Sequence, residues 1–148
     1  MKSLYTAHDI ANYFIYKAKN ENQELISHLK LQKLVYYAQG LHLALHGKPI
    51  FKEKIEAWNY GPVVPELYSK YKHYGAKGIA PEKTFNPESI DSKMREFLDE
   101  VFSAFGQFSA VGLMNLTHED KCWKDAFPQK VIKHTAMATD LKKYLENG

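Results

Sequence analysis

Apolar positions recur along this chain with the period of a helix far more often than with that of a strand. Thr6, with Asp9 three residues on, makes an approximate capping box that opens a helix through about Lys19. Ile10, Tyr13, Phe14 and Ala18 form its inner stripe, and residues 21–23 read as a polar loop. The clearest element follows. Ser27 is placed to cap, and Leu31, Leu34, Val35, Ala38, Leu41 and Leu45 recur at helical spacing until Gly47 supplies a stop. Lys30, Lys33 and Gln39 fall mostly on another face. A helix this long and this apolar is expected to run through the middle of the core.

The pattern then changes. Residues 49–51 and 55–58 are short apolar runs flanking Lys52, Glu53 and Lys54, which predicts a short hairpin. Asn59, Tyr60, Gly61 and Pro62 read as a turn. Pro65 suits the first turn of a new helix, which should end at Gly75. Residues 76–85 read as a loop. Asn86 and Pro87 have the cap-then-proline form of another helix start, with Ile90, Met94, Phe97, Leu98, Val101, Phe102 and Phe105 inward. Ser109 should cap a shorter helix to about Leu116, followed by a turn near residues 123–126, an extended piece at Val131 and Ile132, and a last helix over about 135–145. The expected fold is mainly α: a compact single domain of about six helices with a small β-hairpin or short sheet near residues 49–58.

Composition narrows the function classes. The 148 residues fit one domain spanning 1–148, and 45% hydrophobic with 25% charged residues is the balance of a globular chain. No apolar run approaches the ~18–20 residues of a membrane span, and the first six residues lack the pattern of a secretory signal. A cytoplasmic protein is expected. The single cysteine, Cys122, excludes an intramolecular disulfide. Net charge is +3, with residues 1–80 basic and the remainder slightly acidic. Only Arg95 among the 20 basic residues is an arginine, so sequence-specific nucleic-acid readout is not expected. The lysines read as a solvated surface.

Candidate chemistry is sparse. His42 and His46 stand at i and i+4, a spacing that can ligate a metal, but no carboxylate of matching spacing accompanies them. His118, Glu119 and Cys122 imitate a metalloprotease helix with its second histidine replaced, and His118 with Cys122 or Glu119 is the best pairing for a small hydrolase. No phosphate loop, nucleophile elbow or dinucleotide fingerprint is present. The remaining oddity is aromatic content: 10 Tyr, 8 Phe and 2 Trp, with Tyr36, Tyr37, Tyr60, Tyr68, Tyr71 and Tyr74 crowding the first half. Tyrosine is enriched where proteins meet, and interleaved with lysine it can stack single-stranded bases, which makes a nucleic-acid-binding module the third reading.

Three segments together go further. Lys30-Leu31-Gln32-Lys33-Leu34 runs into Tyr36-Tyr37-Ala38-Gln39-Gly40; Glu56-Ala57-Trp58 runs into Tyr60-Gly61-Pro62-Val63, with Tyr68 after it; Leu116-Thr117-His118-Glu119 precedes Trp123 and Ala126. In this order and spacing the chain resembles the Panacea domain, the antitoxin family of SocA-like proteins and phage-associated GepA-like proteins. The resemblance implies a helical antitoxin domain, not an enzyme and without a cofactor, that binds and neutralises a protein toxin encoded beside it. For the SocA type it also implies an adaptor that delivers the toxin to a cytoplasmic AAA+ protease. One departure is Cys122, where the family has proline before the late tryptophan. Gln32, Lys33, Tyr36, Tyr37, Gln39, Trp58, Tyr60, Gly61, Pro62, Tyr68, His118, Glu119 and Trp123 carry the motif, either as scaffold or as the floor of a partner groove. For Trp58, strand alternation with Glu56 implies half exposure, whereas membership of the motif favours a packed ring.

Overall fold

The computed structural model describes residues 5–22 and 24–146. Helix α1 (Ala7–Asn22) begins on a complete capping box: the Thr6 N–H donates to Asp9 Oδ2 at 2.9 Å and the Asp9 N–H to Thr6 Oγ1 at 3.0 Å. It runs through Glu21 and Asn22, which were expected in a loop, while Gln23 lies outside the described residues. A two-residue strand β1 (Ile26–Ser27) leads into helix α2 (His28–His46). Ser27 Oγ accepts the Lys30 N–H, and Gly47 closes the helix in the left-handed region at φ 70°.

Helix α2 is the axis of the molecule. Every residue from Leu31 to Leu41 is buried, including Gln32, Lys33 and Gln39, so the polar face expected for Lys33 and Gln39 is not solvated. Neighbours cover it all round, and its polar side chains serve them. Gln39 offers the Ile50 N–H its Oε1 at 2.8 Å and donates to the Phe51 carbonyl at 2.8 Å. Gln32 accepts the Val64 N–H at 2.9 Å. Each amide thus presents a donor–acceptor pair that replaces a strand partner and pins a passing segment to the helix.

The small sheet differs from the expected one. Strands β2 (Glu56–Trp58) and β3 (Gly61–Val63) pair antiparallel around Asn59 and Tyr60. Hence Gly61 and Pro62 belong to a strand, and residues 49–51 form no strand because Gln39 takes their backbone groups. Val131 bridges to Glu56 on the other edge of β2. Helix α3 (Pro65–Tyr71) starts on Pro65 and continues as a 3₁₀ turn over Lys72–Tyr74 to Gly75. Strand β4 (Gly78–Ile79), inside the expected loop, pairs with β1.

Asn86 caps only a 3₁₀ turn over Pro87–Ser89; helix α4 (Ser92–Phe105) starts later, where Asp91 accepts the Met94 N–H. Helix α5 (Ala110–His118) is capped by Ser109, and α6 (Lys121–Ala126), α7 (His134–Leu141) and a final turn α8 (Lys143–Glu146) complete the chain. Helix α7 reaches α2 closely at Gly40, where an added Cβ would lie 2.2 Å from Leu141 Cδ1. The result is one compact, mainly helical domain with two small antiparallel pairs. Among the described residues no helix is long and apolar enough to cross a membrane.

Candidate functional site: an aromatic groove over a buried lysine

The first turns of α2, the β2–β3 hairpin and α3 enclose a groove of about 260 Å³. Gln32 and Lys33 form its floor, and Trp58, Tyr60, Val63 and Tyr68 its walls. Trp58 is half-buried, as strand alternation implies, rather than enclosed. Its indole N–H donates to Glu56 Oε1 at 2.9 Å on the same face, and its ring meets Tyr68 edge-on at 5.0 Å. Tyr60, at the hairpin tip, is 69% exposed and Tyr68 is 40% exposed.

A charge lies beneath these rings. Lys33 is 0% exposed, and its ammonium donates to the Pro62 carbonyl at 3.2 Å. Burial pushes its pKa down to about 7. His28, one helical turn back, pairs with Gln32 Nε2 at 2.9 Å; burial, then the Lys33 charge, push it down to about 4, so it is neutral at physiological pH.

Stability should follow from these two shifts. Between about pH 7 and the ordinary lysine range, the unfolded chain binds a proton at Lys33 that the folded chain does not. Folding is therefore expected to strengthen as pH rises from 7 to about 9.5, and to weaken below 6.5 as His28 charges in the unfolded chain. Above pH 10 the buried tyrosines reverse the trend, since their hydroxyls are held above the usual range by burial. Urea titrations across pH check this, and in Lys33→Met the rise between 7 and 9.5 should flatten.

His118 and Trp123 brace the hairpin from behind, and Gly61 and Pro62 belong to its second strand. The Trp123 indole N–H donates to the Trp58 carbonyl at 3.0 Å, and the His118 imidazole Nε2 lies 3.0 Å from the Asn59 carbonyl. The two rings lie with centroids 4.4 Å apart, tilted by 33°. Glu119 is exposed at the end of α5. Gly61, at φ 105°, passes so close to Lys33 and Thr117 that only a glycine leaves them room.

Tyr36 and Tyr37 face away from the groove into a polar centre that the sequence reading missed. Both hydroxyls donate to Asp120 Oδ2 at 2.9 Å, while Tyr144 and Lys143 bond Oδ1 at 2.8 and 2.9 Å. The signal available in the sequence was Asp120 itself, an acid between the motif residues His118 and Trp123. Cys122 belongs to this centre, with its sulfur 3.1 Å from the Tyr36 hydroxyl. Burial pushes the thiol up to about 12, so it is protonated at neutral pH, and it is not bonded to His118. The nucleophilic pair is therefore not assembled. Likewise His42 Nδ1 lies 2.6 Å from the Lys48 carbonyl, and the described residues contain no group of three or more His, Cys, Asp or Glu able to hold a metal.

The motif thus belongs to a helical domain whose groove is lined by aromatic side chains. Residues 31–124 match the family described as "Antitoxin SocA-like, Panacea domain", and the chain belongs to that family. Antitoxin SocA of Caulobacter vibrioides (strain NA1000 / CB15N) is 31% identical over 104 residues, covering 63% of this chain. This chain spans 55% of that relative's length. No solved structure matches significantly.

Proposed function

We propose that this chain is an antitoxin that binds and neutralises a protein toxin encoded beside it, acting in the cytoplasm, with the Trp58–Tyr68 groove as its docking site. Family membership supports the antitoxin role. The observation that carries the site is a pair of half-open aromatic walls, Trp58 and Tyr68, residue types enriched at binding hot spots. Delivery of the toxin to a cytoplasmic AAA+ protease, implied by the family resemblance, is part of the same reading.

Co-expression of the neighbouring gene with and without this chain tests the main claim. The neighbour should arrest growth alone and not together with this chain; a harmless neighbour, or failure to rescue, sinks it. The half-life of the toxin should shorten in the presence of the antitoxin if delivery operates, and stay unchanged if the antitoxin only blocks. Trp58→Ala separates groove from scaffold. The Trp58 carbonyl that holds Trp123 remains in the alanine variant, so melting should fall only modestly. Toxin binding should lose ~2 kcal/mol or more. An unfolded variant, or full binding by a folded one, contradicts the assignment.

A further inference from the structure

The C-terminal end of α2 carries chemistry that neither the groove nor the polar centre uses. His42 and His46 stand one helical turn apart, with ring centroids separated by 4.7 Å and planes tilted by 52°. With a metal–nitrogen bond of about 2.0–2.1 Å, two imidazoles sharing one ion place their ring centres roughly 4.5–5.2 Å apart. The observed pair falls inside that range. The His42 ring is also held from two sides. Its Nδ1 lies 2.6 Å from the Lys48 carbonyl, and Phe97 meets it edge-on at 5.5 Å. A carbonyl can only accept, so Nδ1 carries the proton and Nε2 of the neutral ring carries the lone pair. A backbone carbonyl on the far ring nitrogen is a regular partner of metal-binding histidines, because it fixes both tautomer and orientation. His46 is exposed, which gives its ring room to turn and an ion an open approach. The negative end of the α2 dipole favours a cation at this same turn.

We propose that His42 and His46 chelate one divalent transition-metal ion, of the zinc, nickel or copper class, through their two Nε2 atoms. Imidazole nitrogen suits these ions, whereas magnesium and calcium take oxygen ligands. Among the described residues no Asp, Glu or Cys joins the pair to make a group of three. Two protein ligands are fewer than the three or four of a catalytic or structural zinc site, so water fills the remaining positions. The site is therefore a reversible surface chelate and not a support of the fold. It does not depend on the antitoxin reading, since neither histidine lines the aromatic groove.

The test uses the untagged full chain, with zinc chloride as the probe and the histidine side chains followed by nitrogen NMR. Without metal, His42 Nε2 should resonate as an unprotonated imidazole nitrogen. Added zinc should move the Nε2 resonances of His42 and His46 before those of the exposed His73 and His134. Magnesium chloride should move neither. His46→Gln should weaken zinc binding at least ~10-fold, a loss no smaller than that of an outer hydrogen-bond partner. His73→Gln should leave the affinity unchanged. His42→Gln should match His46→Gln; because the His42 ring packs on Phe97, melting without metal is compared first, and His46→Gln decides the matter if the other variant unfolds. Equal zinc affinity in the wild type and His46→Gln overturns the inference. So does equal movement of all the exposed histidines, or a proton found on His42 Nε2 rather than Nδ1.

Discussion

Asp120→Ala is expected to unfold at a much lower urea concentration than the wild type, with a loss of ~3–5 kcal/mol. The carboxylate is 0% exposed and accepts from Tyr36, Tyr37 and Tyr144 while pairing with Lys143. Alanine would leave buried hydroxyls without their acceptor, each costing ~1–3 kcal/mol before relaxation. Against a total stability of ~5–15 kcal/mol for a domain of this kind, that is a large share. The centre also joins distant parts of the chain, because α2 supplies two tyrosines and α8 supplies Tyr144 and Lys143. Asp120→Asn, which keeps the shape and one acceptor oxygen but loses the charge and the second acceptor, should cost less. A loss under 1 kcal/mol for the alanine variant would mean that water replaces the carboxylate, and the polar centre would not hold the fold together.

What could be read from the sequence depended on how local its cause is. Helices α1, α2 and α5 were legible because their caps lie within three residues of the groups they satisfy, at Thr6, Ser27 and Ser109. The start of α4 was misplaced because two acceptable caps, Asn86 and Asp91, stand five residues apart, and Pro87 fits the 3₁₀ turn as well as it would a helix. The hairpin slipped because residues 49–51 have the apolarity of a strand, yet their backbone partner is a side chain, Gln39, that no alternation rule reveals. The β1–β4 pair joins residues far apart along the chain by two positions each, too few for a pattern.

The candidate site was legible as a set of residues and not as an arrangement. Trp58, Tyr60 and Tyr68 stood out by type, and their motif by order. Lys33 stood in the motif but not as a buried charge, since a lysine in a helix reads as solvated until a second element is known to cover it. The hairpin that covers it does so only because Gly61 is there.

Gly61→Ala is accordingly the substitution with the sharpest expected effect on the site. At φ 105° an L side chain is strained, a cost of order 1–3 kcal/mol. The added Cβ would also stand 2.7 Å from Lys33 Cε and 2.8 Å from Thr117 Oγ1. Neither atom is free to yield, because Thr117 is tied to the Met114 carbonyl and Lys33 to Pro62. Overpacking of this sort adds ~1–3 kcal/mol, giving ~2–6 kcal/mol in all. Gly47 supplies the control: its φ of 70° is also positive, but nothing lies within 4 Å of the position of an added Cβ. Gly47→Ala should therefore show the conformational cost alone, about 1 kcal/mol. Urea midpoints of the two variants measure the difference, which combines the greater strain at φ 105° with the crowding of Lys33 and Thr117. In a folded Gly61→Ala protein the Trp58 indole resonance should also shift, as the hairpin lifts off the groove floor. Equal losses at the two glycines would show that Lys33 can move aside, and that the groove floor is softer than its packing implies.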